Sequence, residues 1–154
     1  MNNSLVELDN LWDNVVMRQV TLNEKDGIIS TLRAFFETRE EIIFAYIHGS
    51  FAEGILFRDI DVAVYVDEKA VSEDEAIDYG LRISAQGEME TRVTPLDVRV
   101  INYAPVGFKY YATKSILLFA KNEELRCDFL ENTWKVYFDL LPKRKQILLD
   151  LVTP

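Results

Sequence analysis

Two aspartates, Asp59 and Asp61, flank a single apolar residue at the start of a predicted strand. Side chains at positions i and i+2 of a strand point to the same face, so we expect the two carboxylates to lie close together. Like charges held so close are costly unless a cation lies between them. Magnesium takes carboxylate oxygens together with phosphate oxygens and water. The pair therefore predicts a divalent metal site.

A glycine–serine turn, Gly49–Ser50, precedes this pair in the chain. Ser50 and Glu53 have the spacing of a helix-capping box, which predicts that a short helix begins at Ser50. Gly49 allows a ligand to approach the backbone closely because no Cβ stands in the way. The free amides of a helix start favour phosphate. Gly49 and Ser50 are therefore candidate nucleotide-binding residues.

Asp97 is a third acid, located among apolar residues on a later predicted strand. A carboxylate in the middle of a sheet needs a partner or a metal. If this strand neighbours the strand of Asp61, the three acids converge beside the phosphate-binding turn. That arrangement suits metal-assisted nucleotidyl transfer, in which two ions hold the attacking and leaving oxygens in line. Asp97 then either ligates the ion that activates the nucleophile or accepts its proton.

Each of these signals also has an ordinary structural interpretation. An Asp-x-Asp pair is often a solvated strand end, and a Gly-Ser dipeptide is often a plain turn. Asp97 and Arg99 form a simple surface ion pair if their strand lies at a sheet edge. His48, the single histidine, is interpreted as a strand-end packing residue that hydrogen-bonds locally, with catalysis as the alternative. The order of the signals along the chain is what favours chemistry.

The elements that must position these residues are predicted from the spacing of apolar residues. Ser4 with Glu7 and Thr21 with Glu24 have the spacing of capping boxes at the starts of two helices. Pro142 is expected to break or kink the last helix. The predicted elements are helix 5–19, helix 22–38, strand 41–48, strand 60–66, a helix from residue 72, strand 96–101, helix 107–114, edge strand 116–119 and a long helix from residue 122.

This alternation predicts a single α/β domain over residues 1–154, in which helices pack on a small mixed sheet. Its core is expected over about 25–102, with a helical extension over 103–154. The net charge of −9 argues against direct nucleic-acid binding, which needs clustered Lys and Arg. A lone cysteine excludes an internal disulfide and fits a cytoplasmic location. No apolar run is long enough to cross a membrane, and the oligomeric state is left open.

The chain resembles the minimal nucleotidyltransferases of the DNA polymerase β superfamily. The motif of that family is an apolar residue, Gly, Gly or Ser, a variable loop, and then Asp-x-Asp or Asp-x-Glu in a strand. The corresponding residues here are 47–50 and 59–61, and Asp97 matches the third carboxylate of the family. The resemblance implies the palm-like fold of polymerase β. It also implies Mg²⁺ at Asp59, Asp61 and Asp97, and ATP at Gly49, Ser50 and Arg58, the only cation in segment 51–58.

Within this superfamily the chain looks most like the small MntA-like antitoxins that accompany HEPN ribonuclease toxins. The resemblance implies transfer of AMP from ATP to a tyrosine of a cognate HEPN toxin. The acidic charge would suit a basic partner. Two alternatives stay open: a catalytically weak or inactive antitoxin that neutralises its partner by binding alone, and a nucleotidyltransferase that acts on a small molecule.

Overall fold

A computed structural model describes residues 5–7, 16–54 and 56–152 of the chain. Its elements are β1 Leu5–Glu7, β2 Val16–Gln19, α1 Leu22–Glu37, β3 Ile42–His48, α2 Gly49–Glu53, β4 Leu56–Phe57, β5 Ile60–Val66, α3 Ala76–Thr91, β6 Leu96–Val100, α4 Val106–Thr113, β7 Ile116–Ala120 and α5 Glu123–Val152. Helices cover both faces of the main sheet, which is the α/β arrangement predicted from the sequence.

The main sheet has the strand order β6-β5-β3-β7. β3 pairs antiparallel with β5 and β7, whereas β5 and β6 are parallel. Alternation along β5 sends Ile60, Val62 and Val64 into a core shared with α1 and α3. The opposite face carries Asp61, and Ala63 there packs in a small cluster with Ile101 and Ala112 under α4 and α5. Because alternate residues face opposite ways, one strand serves the core and the acid-bearing face together.

The predicted helix 5–19 is wrong where the structure describes it. β1 and β2 pair antiparallel, and β2 continues the small sheet onto β4 through Arg18 opposite Phe57. Residues 8–15 lie outside the described part of the chain. Strand pairing with β4 satisfies the backbone of β2 and overrides the helical spacing of its apolar residues, since β-branched residues such as Val16 are mediocre helix formers.

Helix α1 begins as the sequence predicts. Thr21 Oγ1 accepts from the Glu24 amide at 3.2 Å, and the Thr21 amide donates to Glu24 Oε2 at 2.8 Å. Likewise, Asn122 Oδ1 accepts from the Leu125 amide at 3.0 Å at the start of α5. The predicted break at Pro142 does not occur, because α5 runs through it to Val152. The proline lacks an amide hydrogen, so the carbonyl of Phe138 loses its i+4 donor within the helix.

The outer edge of β6 is covered by α3. The amides of Leu96 and Val98 donate to Glu88 Oε1 at 2.8 Å and Ser84 Oγ at 2.9 Å. Gly80 makes this close approach possible, because a Cβ there would lie 2.5 Å from the Val98 carbonyl oxygen. The edge strand that carries Asp97 is therefore held in place by α3 as well as by β5. No helix among the described residues is long and apolar enough to cross a lipid bilayer.

Candidate active site

The strand register places two of the predicted acids side by side. Asp61 on β5 is directly opposite Asp97 on β6, and on its other side it is opposite His48 at the end of β3. Asp59 immediately precedes β5, and its charge is close enough to raise the pKa of Asp61 after the larger effect of burial. The sequence left open whether the strands of Asp61 and Asp97 are neighbours, and in the structure they are.

Asp61 is the most perturbed carboxylate of this group. Burial first, and then the charges of Asp59 and Asp97, raise its pKa from 3.8 to about 6, against the opposing effect of Arg99 and Arg58. The negative charges of Asp59 and Asp97 therefore both repel that of Asp61, as expected for carboxylates that share a cation. Perturbed carboxylates of this kind are frequent at catalytic sites.

Arginines pair with the other two acids. Arg58 Nη2 lies 3.2 Å from Asp59 Oδ2, and Arg99 Nη2 lies 3.0 Å from Asp97 Oδ2. Both arginine side chains are mostly exposed, so these pairs contribute little to stability and can exchange with solvent. Across the described residues, no three His, Cys, Asp or Glu side chains are grouped closely enough to hold a metal ion. Arg58, predicted to bind nucleotide, contacts Asp59 in this structure.

The predicted phosphate-binding turn lies against Asp61. Gly49 is the first residue of α2 and has φ +72°, and a Cβ at this position would collide with Asp61 Oδ2. The residue before the helix is His48, and its side chain makes no capping bond. Ser50 lies inside α2 and not at its N-cap position, so the predicted capping box of Ser50 and Glu53 does not form. Ser50 is exposed. The fold therefore favours glycine at position 49 for two reasons: the backbone is left-handed there, and a Cβ would collide with Asp61.

A lysine outside the predicted site holds the helix that follows the glycine turn. Lys25 of α1 donates from Nζ to the carbonyls of Ala52 at 3.2 Å and Gly54 at 2.8 Å, which holds the end of α2. No sequence signal identified this lysine, because it lies more than twenty residues before the turn.

His48 also differs from its prediction as a locally hydrogen-bonded residue. Its Nε2 is buried without a hydrogen-bond partner among the described residues, and its ring lies edge-on to Phe108 at 5.2 Å. Burial first, and then Arg99, lower the pKa of His48, so the ring is neutral at pH 7. In the sequence, the feature that pointed to His48 was its position next to Gly49.

The donor chemistry of these acids fits magnesium. Carboxylate oxygens are the protein ligands that Mg²⁺ takes together with phosphate oxygens and water. A divalent cation would also relieve the repulsion that raises the pKa of Asp61. Asp59, Asp61 and Asp97 are the residues that would hold the ion, after Asp59 and Asp97 leave their arginine partners and turn toward Asp61, since the three are not grouped closely enough as they stand. That assignment, like the assignment of Gly49, Ser50 and Arg58 to the nucleotide, stays a prediction.

The sequence profile of the polymerase beta nucleotidyltransferase family matches residues 30–124, which include the turn and all three acids. The chain belongs to this family. No curated protein shows significant similarity to the chain. The fold predicted for a polymerase β nucleotidyltransferase is thereby confirmed.

Solved structures of toxin–antitoxin complexes share the fold of this nucleotidyltransferase. A chain of an MntA–HepT complex superimposes with a TM-score of 0.56 and 17% identity, covering 86% of this chain and all of the other. A toxin–antitoxin structure with AMP-PNP gives 0.59 and 19%, covering 84% and 98%. The complex of a tri-AMPylated HEPN toxin from Shewanella oneidensis with its MNT antitoxin gives 0.56 and 18%, covering 85% and 98%.

Proposed function

We propose that this nucleotidyltransferase is an antitoxin that transfers AMP from ATP to a tyrosine of a cognate HEPN toxin in the cytoplasm. One observation carries the proposal: Asp61 lies between Asp97 and the Gly49 turn, inside the segment matched by the family. The likeness to antitoxins whose structures hold AMP-PNP or an AMPylated toxin supports the choice of nucleotide and acceptor.

The reaction assigns a role to each residue. The tyrosine oxygen attacks the α-phosphorus of ATP, the bond from that phosphorus to the bridging oxygen of the β-phosphate breaks, and pyrophosphate leaves. The hydroxyl proton passes to Asp97, which acts as general base. Gly49 and Ser50 present backbone amides to the triphosphate. Asp59, Asp61 and Asp97 would hold Mg²⁺, which would neutralise charge on the phosphates when bound.

Two arginine movements accompany this role. Arg58 and Arg99 must release Asp59 and Asp97 before those carboxylates can act. Both side chains are exposed and free to turn toward solvent or phosphate, since surface ion pairs of this kind are worth about 0–1 kcal/mol. Arg58, once released, is the cation of segment 51–58 that can pair with the triphosphate.

The test removes the paired acids and measures transfer of label from α-phosphate-labelled ATP to the toxin. Asp59→Asn with Asp61→Asn is expected to lower the rate by about a thousandfold, which corresponds to about 4 kcal/mol of lost electrostatic stabilisation. Asp128→Asn with Asp139→Asn is the matched control, since it removes the same charge from exposed positions of α5. Undiminished labelling by the first variant would refute the site.

A second candidate function is neutralisation by binding alone. It is favoured by the two arginines that occupy acids and by the absence of a grouped metal site among the described residues. The mass of the toxin after incubation with the chain, ATP and Mg²⁺ separates the two functions. A gain of one or more AMP groups supports the enzyme, whereas a stable complex with unmodified toxin supports occlusion.

A further inference from the structure

A groove of about 680 Å³ opens beside Asp97. One wall is the first turns of α3, with Ile77 and Leu81, and Pro105 and Phe108 line the other. Asp97 and Arg99 stand at its lining, on the edge strand β6. The groove therefore connects a predicted catalytic acid to the protein surface.

The groove lies on the side of the acids away from the phosphate turn. The strand order β6-β5-β3 places Asp97, Asp61 and the Gly49 turn in succession across the sheet. In an in-line displacement the attacking and leaving oxygens stand on opposite sides of the reacting phosphorus. With the triphosphate tail at Gly49, the attacking hydroxyl must come from the side of Asp97, where the groove is.

The groove exposes apolar surface on a helix face that would ordinarily be polar. Ile77 is 78% exposed and Leu81 is 66% exposed, although both occupy the regular helix α3. The buried side of this helix is supplied by other residues, among them Tyr79 and Ile83. An apolar pair left on the surface next to a site marks a place where a partner docks.

The hydrogen bonds already made by the edge strand β6 limit how a partner can bind. Its outward amides at Leu96 and Val98 are already bonded to Glu88 and Ser84. A partner segment therefore cannot extend the sheet along these residues by strand addition. Recognition falls to side chains that fill the groove.

The charge around the groove selects its occupant. Glu73 lines the groove, and three more exposed acids follow it, Asp74 and Glu75 just before α3 and Asp78 in its first turn. Arg99 also lines the groove, but its charge is balanced by that of Asp97. Arg82 near Glu75 offsets only one of these four acids. The complementary segment is apolar with flanking basic residues.

We propose that this groove receives the acceptor segment of the partner protein, an apolar stretch flanked by lysines or arginines whose tyrosine hydroxyl meets Asp97. This inference rests on the proposed function, because it names how the acceptor of that same reaction is recognised. It adds Ile77, Leu81 and Glu73 to the residues that determine specificity.

The first test measures binding without catalysis. A fluorescent peptide with a leucine–tyrosine–leucine centre and flanking lysines is compared with a twin in which glutamates replace the lysines, by anisotropy in the absence of ATP. The lysine peptide is expected to bind the full chain about tenfold more tightly. Ile77→Ser with Leu81→Ser is expected to weaken it about tenfold, because two apolar contacts are lost.

Met89→Ser is the matched control, since Met89 is equally exposed on α3 but does not line the groove. It is expected to bind the lysine peptide as the unaltered chain does. The proposal is overturned if neither peptide binds, if the twins bind equally, or if the double serine variant binds like the Met89 variant.

The second test separates this proposal from the function itself. With the whole toxin as acceptor, the double serine variant is expected to raise the KM for toxin about tenfold and to leave the KM for ATP unchanged. Loss of all transfer in the unaltered chain with intact peptide binding would reject the transferase and keep the groove. Normal KM values in the double serine variant would reject the groove and keep the transferase.

Discussion

The two faces of the main sheet are built from the same strands and differ in what they carry. On the face toward α1 and α3, Ile60, Val62 and Val64 lie in a continuous apolar core. On the opposite face the same strand presents Asp61 and Ala63, beside a smaller cluster and the stacked rings of Phe44 and Tyr65. Dense packing on one side fixes the backbone, so the other side can hold like charges together. Successive residues of β5 thus serve different purposes, since one face of the strand packs in the main core and the other carries the candidate site.

The division predicts that truncations on the two faces have very different costs. Phe36→Ala on α1 empties a fully buried position and is expected to lower the free energy of unfolding by about 3–5 kcal/mol. Phe129→Ala, beneath the acid-bearing face, is expected to cost about half as much or less, because Phe129 is only partly buried. Urea unfolding followed by circular dichroism measures both. Equal costs would remove the distinction between the faces.

Gly49→Ala is expected to affect both the stability of the fold and the candidate site. The positive φ costs about 1–2 kcal/mol for a residue with a Cβ, and the new Cβ collides with Asp61. We expect a loss of stability of about 2 kcal/mol and a fall in AMP transfer of at least about tenfold. Thermal unfolding and the labelled-ATP assay measure the two effects.

Gly54→Ala is the matched control for the turn. Its φ of −155° is open to any residue, and the nearest atom to a new Cβ is the Leu56 amide nitrogen at 3.9 Å. Stability and transfer should both stay close to those of the unaltered chain. A similar loss in both alanine variants would show that α2 as a whole, and not the contact of Gly49 with Asp61, is sensitive.

Asp61→Asn is expected to stabilise the metal-free protein by about 1 kcal/mol at pH 7, a value reduced for the partial exposure of the group. The folded pKa of about 6 exceeds the unfolded value, so the folded state binds more protons between about pH 4 and 6. Stability of the unaltered chain therefore falls as pH rises through that window. The gain from asparagine should vanish below about pH 4.

Unfolding in urea at pH 3.5 and pH 7 measures this smallest effect, with Asp26→Asn as an exposed control on α1. An Asp61 variant that loses stability at pH 7 would contradict the picture of mutual repulsion. Addition of Mg²⁺ should stabilise the unaltered chain and not the variant, since a cation relieves the repulsion only where all three acids remain.

Strict alternation made β5 and β6 predictable from the sequence. Asp61 and Asp97 could be assigned to one face because period-two patterns leave little freedom of register. Their side-by-side pairing needed the parallel contact between β5 and β6, and no local pattern encodes such a contact. The Arg99–Asp97 pair was one of the open interpretations of the sequence, because it requires only that β6 lie at a sheet edge, as it does. The Arg58–Asp59 pair was not foreseen, as rotamers of exposed side chains leave no spacing signal.

Helix α3 shows why the apolar spacing of a helix can mislead. Its sequence places Ile77, Leu81 and Met89 on one side, yet these residues are exposed. The buried side contains Gly80 and Gly87, whose lack of a side chain lets the helix approach β6 and the core. A residue without a side chain adds nothing to a hydrophobic stripe. The packing face of such a helix is therefore invisible to periodicity, as was the strand pairing of residues 16–19.

The two hydrogen bonds of Lys25 limit how many residues can be removed from the start of the domain. This lysine precedes the segment 30–124 matched by the family, yet it anchors the carbonyls at the end of the helix that follows the glycine turn. A chain trimmed to begin at residue 30 would keep every acid and the turn. It would nevertheless lose the lysine that holds the end of α2, so a boundary drawn from the family match alone would remove a contact that supports the candidate site.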